Sequence, residues 1–279
     1  MVINMFLFDT HNDLLMQKKD INSYLNKFYN QGLNKIILAI FLSEKKLNVQ
    51  EIINLTNKVK NKENTYFTIE DISIIPYKHI DKLKEIKPLY CSLTWNEGNA
   101  LAGGAFCKKG ITKLGYKYID KIEEFSFVDT AHLNKKSFYS LAKYSKKPLL
   151  NSHTNLTKFH KHQRNLTNRQ IKTIINSNGL VCLTGVKEFL GKSSNLDTYI
   201  NSIYYFYKKF GANHLALSTD FMGSKEFPLV YKNYNDFKII YSKLKGKGIS
   251  ENELEKIFYL NVINFFNIKK NNKGDNNGK

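Results

Sequence analysis

Residues 6–15 read FLFDTHNDLL. Apolar and aromatic side chains lead into a polar knot, Asp9-Thr10-His11-Asn12-Asp13, and the chain then turns apolar again. The lead reads as a buried strand over 4–9. The knot has three competing readings. Asp and Asn are good helix N-caps, and they also favour turns. The third reading is a metal site: in an extended segment positions i and i+2 face the same side, so His11 and Asp13 could grip one ion together. The rest of the chain decides between them.

Working outward, short apolar runs recur at 35–42 (KIILAIFL), 65–69 (TYFTI), 89–94 (LYCSLT), 126–131 (SFVDTA), 147–152 (KPLLNS), 179–184 (GLVCLT) and 214–219 (HLALST). With 4–9 they make eight strands. They lack clean alternation, as expected of strands covered on both faces. Helical periodicity fills the gaps at 48–60, 115–124, 137–144, 167–178, 196–209 and 235–245. Thr167 reads as an N-cap and Gly179 as the residue just past that helix. Ser250 with Glu253 three residues later reads as a capping box opening a last helix. Strands alternating with helices predict an α/β protein built as a (β/α)8 TIM barrel. An open doubly wound sheet is the alternative. No linker or internal repeat divides the chain, so 1–268 is expected to form one catalytic barrel. Residues 269–279 (KKNNKGDNNGK) lack apolar anchors and are expected to form a disordered tail.

Composition sets limits. The chain has 279 residues, 42% hydrophobic and 13% aromatic, enough for a substantial core. MVINMFLF has no basic stretch ahead of its apolar run and so does not read as a signal peptide. No segment approaches the roughly 20 apolar residues of a membrane span. Three cysteines without CxxC spacing indicate neither a disulfide framework nor a cysteine zinc site. A cytoplasmic location is expected. The net charge of +19 comes from lysines spread along the whole chain in company with Asn and Ile. That pattern reads as compositional bias, and nucleic acid is not an expected partner.

In such barrels the chemistry sits at the C-terminal ends of the strands. There stand His11 and Asp13, Glu70, Trp95 and Asn96, His132, His153 and Asp220. The other histidines, at 79, 160, 162 and 214, do not fall at strand ends. One strand-end histidine would ordinarily be structural. Three, with three carboxylates at equivalent positions, point to a metal site for zinc or a similar ion. Six donors exceed the three protein ligands of a single catalytic zinc. Two ions sharing a carboxylate would use them better, with Glu70 as the bridge. Such a pair can polarise a carbonyl and generate a nucleophile, so the pattern points to a metallohydrolase.

The same residues resemble the membrane dipeptidase family, also called renal dipeptidase, of metal-dependent (β/α)8 hydrolases. The resemblance runs from about residue 5 to 265. It rests on HND at 11–13, IE at 69–70, SLTWNEGNALAGG at 92–104, GITKLGYKYI at 110–119, DTAHLN at 129–134, NSHTN at 151–155, QRNLT at 163–167 and STDFMG at 218–223, in that order. It implies a dipeptidase with two Zn2+ ions, other divalent metals being compatible with the same ligands. It implies His11 and Asp13 on the first zinc, Glu70 bridging both, and His132 and His153 on the second. Arg164 would grip the substrate's C-terminal carboxylate, for which a guanidinium fork is suited. Asp220 would handle the proton as a hydroxide held between the ions attacks the peptide bond. A D-residue at the C-terminal position of the dipeptide would be accepted, and a homodimer is a compatible assembly. Trp95 stands where animal members carry a histidine that holds the carbonyl oxygen. Its indole N–H can donate one hydrogen bond but cannot titrate. Met222 stands where relatives often have an aspartate, and IEDISII lacks the glycines usual after the bridging glutamate. Two rivals remain: a dinuclear amidohydrolase acting on another small amide or ester, and a catalytically silent barrel that binds peptides.

Overall fold

Eight parallel strands run in sequence order around one sheet: β1 (Phe8–Asn12), β2 (Lys35–Phe41), β3 (Thr65–Glu70), β4 (Tyr90–Ser92), β5 (Phe127–Asp129), β6 (Leu150–Thr154), β7 (Leu180–Leu183) and β8 (Leu215–Leu217). This is the barrel expected from the alternating pattern, and the open sheet is excluded. The computed structural model describes residues 5–17, 20–223 and 228–269. Most of the expected tail, 270–279, lies outside the described residues.

The seam between β8 and β1 is closed just beyond the strand ends. Asp220 N–H donates to His11 O at 3.0 Å, and Asp13 N–H to Phe221 O at 2.9 Å. The Asp9 carboxylate reinforces it, accepting from Thr219 N–H at 2.8 Å, Thr219 Oγ1–H at 2.5 Å and Tyr234 Oη–H at 2.5 Å. These bonds correct one expectation. The first strand occupies Phe8–Asn12 rather than 4–9, so the polar knot lies mostly inside the barrel wall. A buried strand tolerates such residues because their polar atoms are bonded across the barrel. Thr10 Oγ1 donates to Ser152 O and Leu217 O, each at 3.1 Å.

The helices follow their sequence signals. Asn48 and Glu51 form a capping box before Val49–Asn57, and Thr167 and Gln170 another before Asn168–Asn176. Ser250 and Glu253 form the expected box at Glu251–Glu255, and the helix continues through a π turn, Lys256–Leu260, to Asn261–Phe265. Gly179 is not the left-handed residue that ends its helix; Asn178 is, at φ 57°. A Cβ at Gly179 would lie 2.1 Å from Leu149 O, so close packing is what requires glycine there. A helix at Ile21–Asn30 and a 3-10 stretch at Tyr77–Glu85 carry no counterpart in the sequence reading.

Candidate metal centre

Glu70 is the last residue of β3, and His153 lies within β6. His11 lies within β1, with Asp13 one residue past its end. His132 and Asp220 follow β5 and β8 on short turns, both in left-handed backbone at φ 66° and 56°. Non-glycine residues adopt that conformation only where their surroundings hold them. The outcome is convergence: His11, Asp13, Glu70, Trp95, His132, His153, Arg164 and Asp220 all line one pocket at the C-terminal mouth.

The donors form three overlapping groups within reach of a single ion: His11, Asp13 and Glu70; Glu70, His132 and His153; and His11, His153 and Asp220. Glu70 stands between the first two. Its Oε1 is 2.6 Å from His132 Nε2 and 3.9 Å from His153 Nε2, and its Oε2 is 3.8 Å from His11 Nε2. Asp13 Oδ2 is 3.5 Å and Asp220 Oδ1 is 4.0 Å from the same His11 nitrogen. The third group places Asp220, one of the six expected donors, beside two histidines.

Hydrogen bonds behind the site orient the rings. Ser152 Oγ–H donates to Asp129 Oδ2, so its oxygen accepts from His153 Nδ1–H at 2.8 Å. Tyr90 Oη–H donates to Thr10 O at 2.7 Å and accepts from His11 Nδ1–H at 2.9 Å. His132 Nδ1 is 2.9 Å from Asn96 Oδ1. Each Nε2 is thereby turned inward. Histidine metal ligands are commonly fixed by such outer partners.

The electrostatics ask for positive charge. Burial lowers the pKa of His132 to about 4, helped by the nearby Arg164 guanidinium. Burial, His11 and Arg164 hold His153 well below its ordinary value. Burial disfavours the Glu70 carboxylate, but His132, His11 and Arg164 outweigh it and pull the pKa down to about 2. A carboxylate and two neutral imidazoles therefore aim lone pairs at one point, with His132 Nε2 and His153 Nε2 only 2.8 Å apart. A divalent cation fits that donor set. At His11, burial is overcome by Asp13, Glu70 and Asp220, which raise its pKa to about 10. Here the carboxylates hold an extra proton where a cation's charge would otherwise serve. Burial, with Asp13 nearby, lifts Asp220 to about 7.

Arg164 is 8% exposed. Among the described residues no carboxylate lies within ion-pair distance of it. Its polar contacts are long: Nη1 to Asn96 Oδ1 at 3.3 Å and Nη2 to His153 O at 3.4 Å. Its plane lies over the Phe189 ring at 5.2 Å. A buried guanidinium so weakly satisfied is suited to an incoming anion.

Residues 31–278 match the sequence model described as membrane dipeptidase, peptidase family M19. The chain belongs to that family. The matched stretch begins beyond His11 and Asp13, which the barrel nevertheless brings to the same mouth. Among curated relatives, this membrane dipeptidase family member is 26% identical over 161 residues to an uncharacterized Klebsiella pneumoniae protein from the pqqA 5' region, spanning 55% of this chain and 59% of that one. It is 24% identical over 160 residues to the dipeptidase ataJ of Aspergillus terreus, spanning 56% of this chain and 39% of that one. The chain thus spans about half the length of the curated relatives it matches. Two solved structures share its fold. A Rhodobacter sphaeroides metallo peptidase liganded with a phosphinate mimic of L-Ala-D-Ala superposes with a TM-score of 0.80 at 15% identity, covering 95% of this chain and 99% of that one. A Pseudomonas aeruginosa amidohydrolase also gives 0.80, at 18% identity, covering 95% and 96%.

Several residues of this mouth carry no strand-end signal in the sequence. His162 does not fall at a strand end, yet it lines the pocket from the loop after β6, 3.5 Å from Glu188. Phe106, Phe189 and Glu188 also line it. Periodicity carries no signal for loop residues. Only the QRNLT match drew attention to that loop.

Proposed function

We propose that this protein is a metal-dependent dipeptidase that holds two divalent cations, zinc by family resemblance. The observation that carries the reading is the meeting of three inward-turned imidazoles with Asp13, Glu70 and Asp220 beside a buried, weakly satisfied arginine. His11 and Asp13 would hold one ion, His132 and His153 the other, and Glu70 would serve both. Bound there, the cations would supply Lewis acidity to the scissile carbonyl and make a water nucleophilic near neutral pH.

The chain's own residues do the rest. Arg164 takes the C-terminal carboxylate of the dipeptide, so the scissile carbonyl, one residue inward, is directed toward Glu70 and the histidines. Asp220 accepts the proton of the attacking water and delivers it to the leaving amine. Trp95 lines the same pocket, and its indole N–H is a single hydrogen-bond donor. Anchoring the C-terminal carboxylate at Arg164 confines hydrolysis to the bond next to the C-terminal residue. A dipeptide with a C-terminal D-residue is a suitable assay substrate, since the Rhodobacter sphaeroides relative was solved with a mimic of one.

Elemental analysis of the purified protein, together with a dipeptide hydrolysis assay, tests this. About two divalent ions per chain and hydrolysis abolished by chelation are expected. A protein that binds no divalent ion and cleaves no dipeptide with metal added would overturn the reading.

A further inference from the structure

We propose that Arg164, acting through Asn96, decides which nitrogen of His132 faces the metal centre. This rests on the reading of the centre as a divalent-cation site and adds a positioning role for two residues that touch none of its donors' inward atoms.

The argument starts from the shape of an amide. The two ends of an asparagine side chain are nearly alike in size, but one accepts and the other donates. Asn96 presents one atom to two neighbours, His132 Nδ1 at 2.9 Å and Arg164 Nη1 at 3.3 Å. A guanidinium has only donors. The shared atom must therefore be the oxygen. That oxygen can only accept, so His132 must carry its hydrogen on Nδ1. Its Nε2 is then bare, and it is this nitrogen that lies 2.6 Å from Glu70 Oε1 and 2.8 Å from His153 Nε2.

With the amide reversed, its NH2 group would face Nδ1 and require an acceptor there. The hydrogen would move to Nε2, the atom that a cation needs free. Arg164 excludes that arrangement through Asn96, its own side-chain hydrogen bonds going to Asn96 Oδ1 and the His153 carbonyl. The Asn96 main chain is fixed as well: its backbone carbonyl oxygen accepts from Phe106 N–H at 2.8 Å, and a Cβ on Gly104 would lie 2.4 Å from that same backbone oxygen. Arg164 is held in turn by Phe189 and the His153 carbonyl. The group proposed to anchor the substrate carboxylate thus also prepares a metal-facing imidazole.

Zinc titration of the metal-stripped full chain tests this without any activity assay. Arg164→Met is expected to weaken zinc binding by about 10- to 100-fold, the usual effect of losing an outer partner of a metal ligand. Charge alone predicts the opposite sign, because removing a neighbouring cation favours a divalent one. Arg164→Lys, which still only donates, should bind zinc near the wild-type level. Asn96→Leu should weaken zinc as Arg164→Met does, and the double variant should be no weaker than Asn96→Leu, since the arginine acts through the amide. Melting curves of the metal-free proteins check folding; if Asn96→Leu does not fold, the Met and Lys variants at 164 decide alone. Arg164→Met binding zinc as tightly as wild type, or additive losses in the double variant, would overturn the inference and leave the metal reading intact. A wild-type chain that binds no divalent cation would overturn both.

Discussion

The two ends of the barrel are built from the same eight strands to opposite designs. At the N-terminal end Phe8, Ile37, Leu150, Leu180 and Ala216 pack against Tyr259, Val262 and Ile263 of the last helical segment. Phe127 stacks near Phe265 at 4.7 Å between ring centres. The main polar intruder is the buried Lys35, whose Nζ donates to Asn64 Oδ1 at 3.0 Å and Glu63 O at 3.3 Å. At the C-terminal end the buried side chains are imidazoles, carboxylates and a guanidinium, and the backbone turns left-handed at Asp71, His132, Asp220 and Met222. Tyr90 joins the two layers: its ring belongs to the apolar floor and its hydroxyl orients His11. The lesson is a division of labour. The floor contributes stability through buried apolar area. The mouth gives some of that back by desolvating charges, and a bound cation is what would reward it.

That contrast can be broken or sharpened by experiment. The largest effect is expected at the mouth. His153→Ala should lose both metal content and hydrolysis, because His153 belongs to two of the three donor groups; full activity would rule out the assignment. At the floor, Phe8→Ala should cost about 3–5 kcal/mol of stability, as large-to-small changes in cores do. Denaturant melts should register that loss while the folded fraction keeps its zinc stoichiometry. An unchanged stability would mean that the floor is not the stabilising end.

Arg164→Ala, assayed at saturating zinc, should raise KM for dipeptides with a free carboxylate by about 10- to 100-fold, the worth of about 1.5–3 kcal/mol for a hydrogen bond to a charged group. C-terminally amidated substrates should be spared. Equal losses on both would favour an amidohydrolase acting on a different amide or ester.

The smallest effect concerns pH. In the metal-free chain His11 has its pKa raised to about 10. A raised base stabilises fully below the unfolded value of about 6.5 and loses that contribution as pH climbs toward the folded value. Metal-free stability should therefore fall between pH 7 and 8.5, by at most about 1.4 kcal/mol per pH unit. Zinc, by taking His11 Nε2, should abolish the trend. The same slope with and without zinc would remove His11 from the centre.

Much of this was readable from residues alone. Eight apolar runs separated by amphipathic segments identify the barrel, because period and burial are local properties of the chain. The capping residues Thr167 and Ser250 announce their helices for the same reason. The candidate donors were legible because a barrel collects its strand ends at one mouth. The register of β1 was not: Asp9 and Thr10 look like the end of a strand until Thr219, Tyr234 and Ser152 arrive from more than 140 residues away to satisfy them. Nor did sequence indicate that His162 would join the wall, or that one oxygen of Asn96 would serve both His132 and Arg164. Hydrogen bonding and desolvation act over a few ångströms in space, whatever the separation along the chain. The sequence could therefore specify which groups were available, and only the closed barrel decided which of them meet.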